Sequence, residues 1–150
     1  MPVKILVING PNLNMLGRRD TKHYGTDTLE TIEHQLVEKG RELGCELAFF
    51  QSNHEGAIID YLQEAAVDAD GILINPGALS HYGYSLHDAL VDPALPVVEV
   101  HLSDIHARET WRRTSVLADI IIRQIAGLKA QSYSLGLEVL VKHIKGQETK

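Results

Sequence analysis

Val3-Lys4-Ile5-Leu6-Val7-Ile8 followed by Asn9-Gly10-Pro11 reads as a buried strand cut off by a turn. The aliphatic run is close to continuous, the pattern of a strand covered on both faces, as in a parallel sheet. Outward from it, residues 9–27 form a long polar loop holding three Gly and three Arg/Lys. A loop of that length inside a compact domain marks a functional segment. Thr28 then caps a helix with Leu29, Ile32, Leu36 and Leu43 on one face, and Gly44 stops it. Cys45 to Gln51 is a second strand, Ser52 to Gly56 a polar loop, and Ala57 to Val67 a helix with Ile58, Ile59, Leu62 and Ala66 inward.

The alternation continues. Gly71 to Asn75 is a third strand, Ser85 to Val91 a short helix ended before Pro93, and Pro96 to His101 a fourth strand. The apolar stretch Val116 to Ile125 holds a fifth strand, and Tyr133 to Ile144 a closing helix, with 146–150 as a frayed tail. Alternating strands and helices imply an α/β fold: a five-stranded parallel sheet, doubly wound and flavodoxin-like, in three αβα layers over one domain, 1–150. In such folds ligands sit beyond the carboxyl ends of the strands. Those ends carry Asn9 and Asn12, Ser52 and Asn53, Asn75, and His101, so chemistry is expected along one edge.

Composition narrows the class. Hydrophobic residues at 44% and charged residues at 23% suit a soluble globular chain, and a formal net charge of −6 argues against non-specific nucleic-acid binding. Cys45 is the one cysteine, read as a small core residue, which leaves no disulfide and no multi-cysteine zinc cage. No stretch approaches the roughly 18 apolar residues of a membrane helix. The apolar run after Met1-Pro2-Val3-Lys4 is too short for a secretory signal, so a cytoplasmic protein is expected.

Cofactor motifs are missing: no Gly-x-Gly-x-x-Gly or P-loop follows the first strand, and there is no His-Glu-x-x-His. Neither His101 with His106 nor His81 with His87 has the i, i+4 spacing of helical metal ligands, so no metal is expected. Acid–base chemistry on a polar substrate remains. The 9–27 loop brings together Arg18, Arg19, His23 and Tyr24; an arginine beside a tyrosine favours tyrosinate and turns a poor base into a usable one. The plain alternative is a solvated basic turn with a tyrosine anchor. Glu99 and His101 share a strand face, so the carboxylate can orient and charge the imidazole, or simply satisfy it at a sheet end. Asn75, before Pro76-Gly77, either caps its own loop or presents an amide to a ligand. Ser103, Arg108, Arg112 and Arg113 lie on a segment fit to clamp a carboxylate or diol, or to solvate a loop.

Four blocks carry a resemblance. Asn9-Gly10-Pro11-Asn12-Leu13-Asn14-Met15-Leu16-Gly17 with Arg19 and Tyr24-Gly25 is the first. Gln51-Ser52-Asn53-His54-Glu55-Gly56 with Ile59-Asp60 is the second, and Asn75-Pro76-Gly77-Ala78 with His81 and Asp88-Ala89-Leu90 the third. Glu99 to Glu109, with Arg112, is the fourth. In order and spacing, over essentially the whole chain, these resemble the type II 3-dehydroquinate dehydratase family. The resemblance implies a lyase of the shikimate pathway that converts 3-dehydroquinate to 3-dehydroshikimate by anti elimination through an enolate, with no cofactor, Schiff base or metal. It makes Tyr24 the base, Arg19 its activator on a mobile loop, and Asn12 the holder of a water against the enolate oxygen. It makes His101, oriented by Glu99, the acid. Asn75 and the backbone N–H groups of Leu102 and Ser103 receive the substrate carboxylate; His81, Arg112 and Asp88 hold hydroxyls, Asp88 reaching in from a neighbouring subunit. It implies a homododecamer built from trimers.

The chain departs from the family pattern in places. Asp20-Thr21 replaces the usual Glu-Pro, an exchange expected to loosen the loop. Leu79-Ser80-His81-Tyr82-Gly83 replaces Tyr-Thr-His-Thr-Ser, His87 stands where arginine is common, and Gly127 to Tyr133 is poorer in glycine. Two rivals remain at this level. A non-enzymatic ligand-binding module needs only the strand-end polar residues. A flavin-binding electron carrier needs a phosphate-cradling Ser/Thr-rich turn after the first strand, which is missing.

Overall fold

The structure is a computed structural model that describes residues 2–148. Strands β1 (Val3–Asn9), β2 (Cys45–Gln51), β3 (Gly71–Asn75), β4 (Val97–His101) and β5 (Arg123–Ala126) form one all-parallel sheet in the order β2-β1-β3-β4-β5. From β1 the chain winds outward to β2, then crosses back to β3, which leaves a topological switch point between β1 and β3. The register pairs Asn9 with Asn75, so both strands end in asparagine at that crevice.

Among the described residues four α-helices lie between strands, α1 (Thr21–Tyr24), α2 (Leu29–Leu43), α3 (Glu55–Ala65) and α4 (Tyr84–Val91), and α5 (Gln131–Glu148) follows the last. Strand alternation divides the core in two. Ile5, Val7, Leu73, Val98, Val100 and Ile125 pack with α2 and α5, while Leu6, Ile8, Ile72, Ile74 and Val97 pack with α3 and α4. α2 begins and ends as expected: the Thr28 hydroxyl accepts the Thr31 N–H, and Gly44 adopts the left-handed conformation with φ 74°. α5 packs closely over β4, since a Cβ at Gly136 would lie 2.5 Å from Val100 Cγ1. Among the described residues no helix is long and apolar enough to cross a membrane.

Several expectations are corrected. The fifth strand is Arg123–Ala126, and most of the apolar run before it is a series of turns. Leu117 is fully buried in the second core, with Val116, Ile120 and Ile121 against it, so that apolarity records burial and no strand. Helix α3 starts at Glu55, whose carboxylate accepts the Leu86 N–H at 3.0 Å and ties α3 to α4. The C-terminal helix runs from Gln131 through Glu148, so the tail expected to fray is helical to that point; Thr149 and Lys150 lie outside the described residues. Cys45 is half-buried at the start of the edge strand, packed against the core rather than inside it, and burial pushes its thiol up.

His87 pins α4 to the turns before β5. Its Nε2 lies 3.0 Å from Asp119 Oδ1 and its Nδ1 3.2 Å from Asp88 Oδ1. Only the imidazolium donates from both nitrogens, and the Asp119 bond first, then that to Asp88, raise His87 above its usual range. A group raised in the folded state contributes stability that is full below its unfolded value and lost as pH climbs through the folded one. The wild type is therefore expected to exceed His87→Gln in unfolding free energy most clearly below about pH 6.5. Denaturant titrations across pH check this; a gap that stays constant with pH would remove the imidazolium from the account.

Candidate active site

The crevice at the switch point is built by turns that the strand ends dictate. Gly10 N–H donates to Asn75 O at 2.8 Å, and Gln51 Nε2 donates to Gly10 O at 3.2 Å. Asn12 sits in the left-handed region at φ 71°, a conformation asparagine tolerates better than most residues. Its N–H donates to Asn53 Oδ1 at 2.9 Å. The second polar block thus braces the first. Beneath them the Tyr133 hydroxyl, buried on α5, donates to Asn9 Oδ1 at 2.6 Å and accepts from Asn75 Nδ2 at 2.9 Å. Burial drives this phenol far up and keeps it protonated. Asn75 Oδ1 accepts the Gly77 N–H at 3.1 Å, so Asn75 does cap its own loop. One hydrogen of its amide nitrogen remains for another acceptor.

On the loop side, Asp20 caps α1: its carboxylate accepts the Lys22 N–H at 3.0 Å and bonds His23 Nδ1 at 2.7 Å. The His23 bond, then the Lys22 N–H, hold Asp20 below the usual carboxylate range. The exchange expected to loosen this loop also supplies an N-cap one turn before Tyr24. The Arg19 guanidinium lies 3.9 Å above the Tyr24 ring centroid. It stacks on the ring, and the group that meets the phenolic oxygen is Arg108, whose Nη1 donates to Tyr24 Oη at 2.7 Å and Ser103 Oγ at 3.2 Å. Stacking aims Arg19 at the ring face, while the chain after β4 brings Arg108 to its edge.

On the sheet side, Glu99 is fully buried on β4 and His101 nearly so. His101 Nε2 meets Glu99 Oε2 at 2.5 Å, and Ser115 Oγ donates to Glu99 Oε1 at 2.7 Å. The His81 ring stands 6.4 Å from that of His101, and the Trp111 ring meets His81 edge-on at 5.2 Å. His81 Nδ1 donates to Thr114 O at 2.8 Å. Burial first, then the charges of His101 and Arg112, hold His81 below its usual range against the pull of the Thr114 bond. It is therefore neutral at pH 7, with Nε2 as an acceptor. Arg112 bonds Glu109 at 2.7 Å and stacks 4.1 Å over Trp111.

These walls enclose a cleft of about 120 Å³, into which Asn12, Arg19, Tyr24, Asn75, His81 and His101 come from separate parts of the chain. Leu102, Ser103, Arg108 and Arg112 complete it. Several residues singled out from sequence are not in its lining, Arg18, His23 and Arg113 among them. Glu99 stands behind His101, and Asp88, on the exposed side of α4, does not line this chain's cleft. Sequence reasoning placed Arg108 only among several loop arginines and passed over Ser115, Gln124, Asn9's link to Tyr133 and Tyr133 itself.

A flavodoxin-like sheet that brings an arginine-held tyrosine and a carboxylate-backed histidine into one cleft at its strand ends carries a candidate acid–base site. Residues 3–141 match the family described as Dehydroquinase class II. A 3-dehydroquinate dehydratase of Roseiflexus castenholzii is 54% identical over 93% of this chain and 88% of its own. One from Acaryochloris marina is 50% identical over 95% and 96%. The crystal structure of a type II dehydroquinase from Butyrivibrio crossotus superposes with a TM-score of 0.89 at 42% identity, over 93% of this chain and 97% of that one. The chain belongs to the class II dehydroquinase family.

Proposed function

We propose that this chain is a 3-dehydroquinate dehydratase that eliminates water through an enolate, with Tyr24 as base and His101 as acid. The observation that carries the reading is the pairing of two supported groups in one cleft: a phenolic oxygen held by Arg108 and an imidazole backed by buried Glu99. Tyrosinate takes the proton from the carbon beside the ketone. The Arg108 guanidinium stabilises the charge the phenolic oxygen carries before that step, and Arg19 adds positive charge over the ring. The enolate oxygen gains negative charge as the C–H bond breaks, and Asn12 holds a water against it. His101, held by Glu99, delivers a proton to the hydroxyl on the neighbouring carbon, which leaves as water while the enolate collapses to the conjugated ketone. Tyr24 then returns its proton to solvent and His101 regains one.

Positioning uses the rest of the cleft. The remaining Asn75 amide hydrogen and the backbone N–H groups of Leu102 and Ser103 serve the substrate carboxylate. Neutral His81 accepts a substrate hydroxyl through Nε2, and Arg112 donates to another. The mostly exposed Asp88 carboxylate, outside this chain's own cleft, supports the reading that it serves the cleft of a neighbouring copy in a homo-oligomer, the dodecamer built from trimers that the family resemblance implies. The reading takes 1–150 as one catalytic domain working in the cytoplasm, without cofactor.

Purified chain given 3-dehydroquinate, with no added metal or cofactor, is expected to produce the ultraviolet absorbance of the conjugated product. Among the described residues no lysine lines the cleft, so borohydride added with substrate is expected to leave the rate unchanged. A folded sample that binds 3-dehydroquinate without turning it over would return the chain to the ligand-binding-module reading.

A further inference from the structure

We propose that His106 and Gln124 form a positioning chain behind the acid: surface His106 sets the orientation of the Gln124 amide, which holds the Glu99 carboxylate that aims His101. The proposal rests on the dehydratase reading and adds two residues to its machinery, neither of which touches substrate. It starts from the sheet register. Strands β4 and β5 pair Glu99 with Gln124 and His101 with Ala126, so the Glu99 and Gln124 side chains project from neighbouring strands on one face. Gln124 Nε2 donates to Glu99 Oε2 at 3.1 Å, the same oxygen that His101 Nε2 meets.

Chemistry then fixes each orientation in turn. A carboxylate only accepts, so Gln124 must turn its nitrogen toward Glu99 and its oxygen away. That oxygen lies 3.0 Å from His106 Nε2. An amide oxygen also only accepts, so His106 carries a hydrogen on Nε2 there. His106 is exposed, yet its backbone is set: it lies in the 3-10 turn Ile105–Ala107, capped by Asp104, whose carboxylate accepts the His106 N–H at 3.1 Å. Reversing the amide would bring oxygen against oxygen at Glu99. Glu99, with no exposure, has no solvent to make good a lost donor. A surface hydrogen bond thereby bears on where the acid's proton points. Ser115 supplies the second support from the turns before β5, on the other carboxylate oxygen.

The test uses substitutions at exposed His106 that differ only in which partner they offer. His106→Gln places an N–H donor near the position of Nε2, whereas His106→Glu offers only acceptors and drives the Gln124 amide to reverse. His106→Ala is expected to lower kcat about threefold and Gln124→Leu about tenfold, with KM within about twofold of wild type, as for groups that act on the chemical step. His106→Gln is expected to restore most of what alanine loses, and His106→Glu to fall below alanine. With Gln124→Leu present, all three His106 variants are expected to give one rate, because residues in one network do not act additively. Thermal unfolding of each protein separates loss of fold from loss of rate, and Gln124→Met stands in should the leucine variant not fold. Equal rates for His106→Gln and His106→Glu, or His106 effects that persist in the Gln124→Leu background, would overturn the chain. Inactive wild-type protein would instead overturn the dehydratase reading beneath it.

Discussion

Tyr24→Phe is expected to keep the fold and lower kcat by about 10²–10⁴-fold, the usual contribution of a general base. The ring stays, so the Arg19 stack and the packing against the first core stay with it. What goes is the oxygen that Arg108 holds, and with it the only atom of that side chain able to take a proton. The expected loss of stability is small, about 1 kcal/mol for one hydrogen bond. Progress curves with saturating 3-dehydroquinate, beside denaturant unfolding of the same sample, measure both. An active Tyr24→Phe protein would remove Tyr24 as the base and leave Arg108 holding a residue of purely structural use.

The second large effect is expected at His101, where two losses can be separated. His101→Ala removes the acid and also a donor to a fully buried carboxylate. It should lower kcat by about 10²–10⁴-fold, because hydroxide is a poor leaving group without a proton. It should also cost about 1–3 kcal/mol of stability, since Glu99 loses a partner that water cannot replace. His101→Gln retains an N–H to offer Glu99 but no titratable proton. Its stability is expected to return toward wild type while its turnover stays low. Unfolding curves and kcat measured on both variants check the pair; turnover recovered along with stability would mean that His101 only props the sheet end.

Much of this arrangement was legible in the residues. β1, β2 and β3 stand where the apolar runs place them because each run is bounded by a turn residue, Asn9-Gly10-Pro11 most clearly. The fifth strand lies at the far end of the stretch expected to hold it, for a physical reason. Arg123–Ala126 has one buried residue, Ile125, as an edge strand can, while the richer apolar run before it fills the second core from turns. Gln124 lay within that stretch but was not singled out, because its value depends on standing beside Glu99 in the ladder. The Glu99–His101 pairing was readable from strand periodicity alone. Arg108 was not: it meets Tyr24 across 84 residues of chain, and nothing local distinguishes it from Arg112 and Arg113. The loss of Glu-Pro was legible as a departure, but not that the Asp20 carboxylate caps the turn that carries Tyr24.

The central claim is that two separate side chains, Tyr24 on α1 and His101 on β4, remove and deliver the two protons of the elimination. The most direct measurement supplies 3-dehydroquinate stereospecifically deuterated beside the ketone and reads the label in the product by mass spectrometry. The account predicts that deuterium anti to the departing hydroxyl is lost and deuterium syn to it is kept. Loss of the syn label would contradict it, since that outcome calls for proton removal from the face on which the hydroxyl leaves.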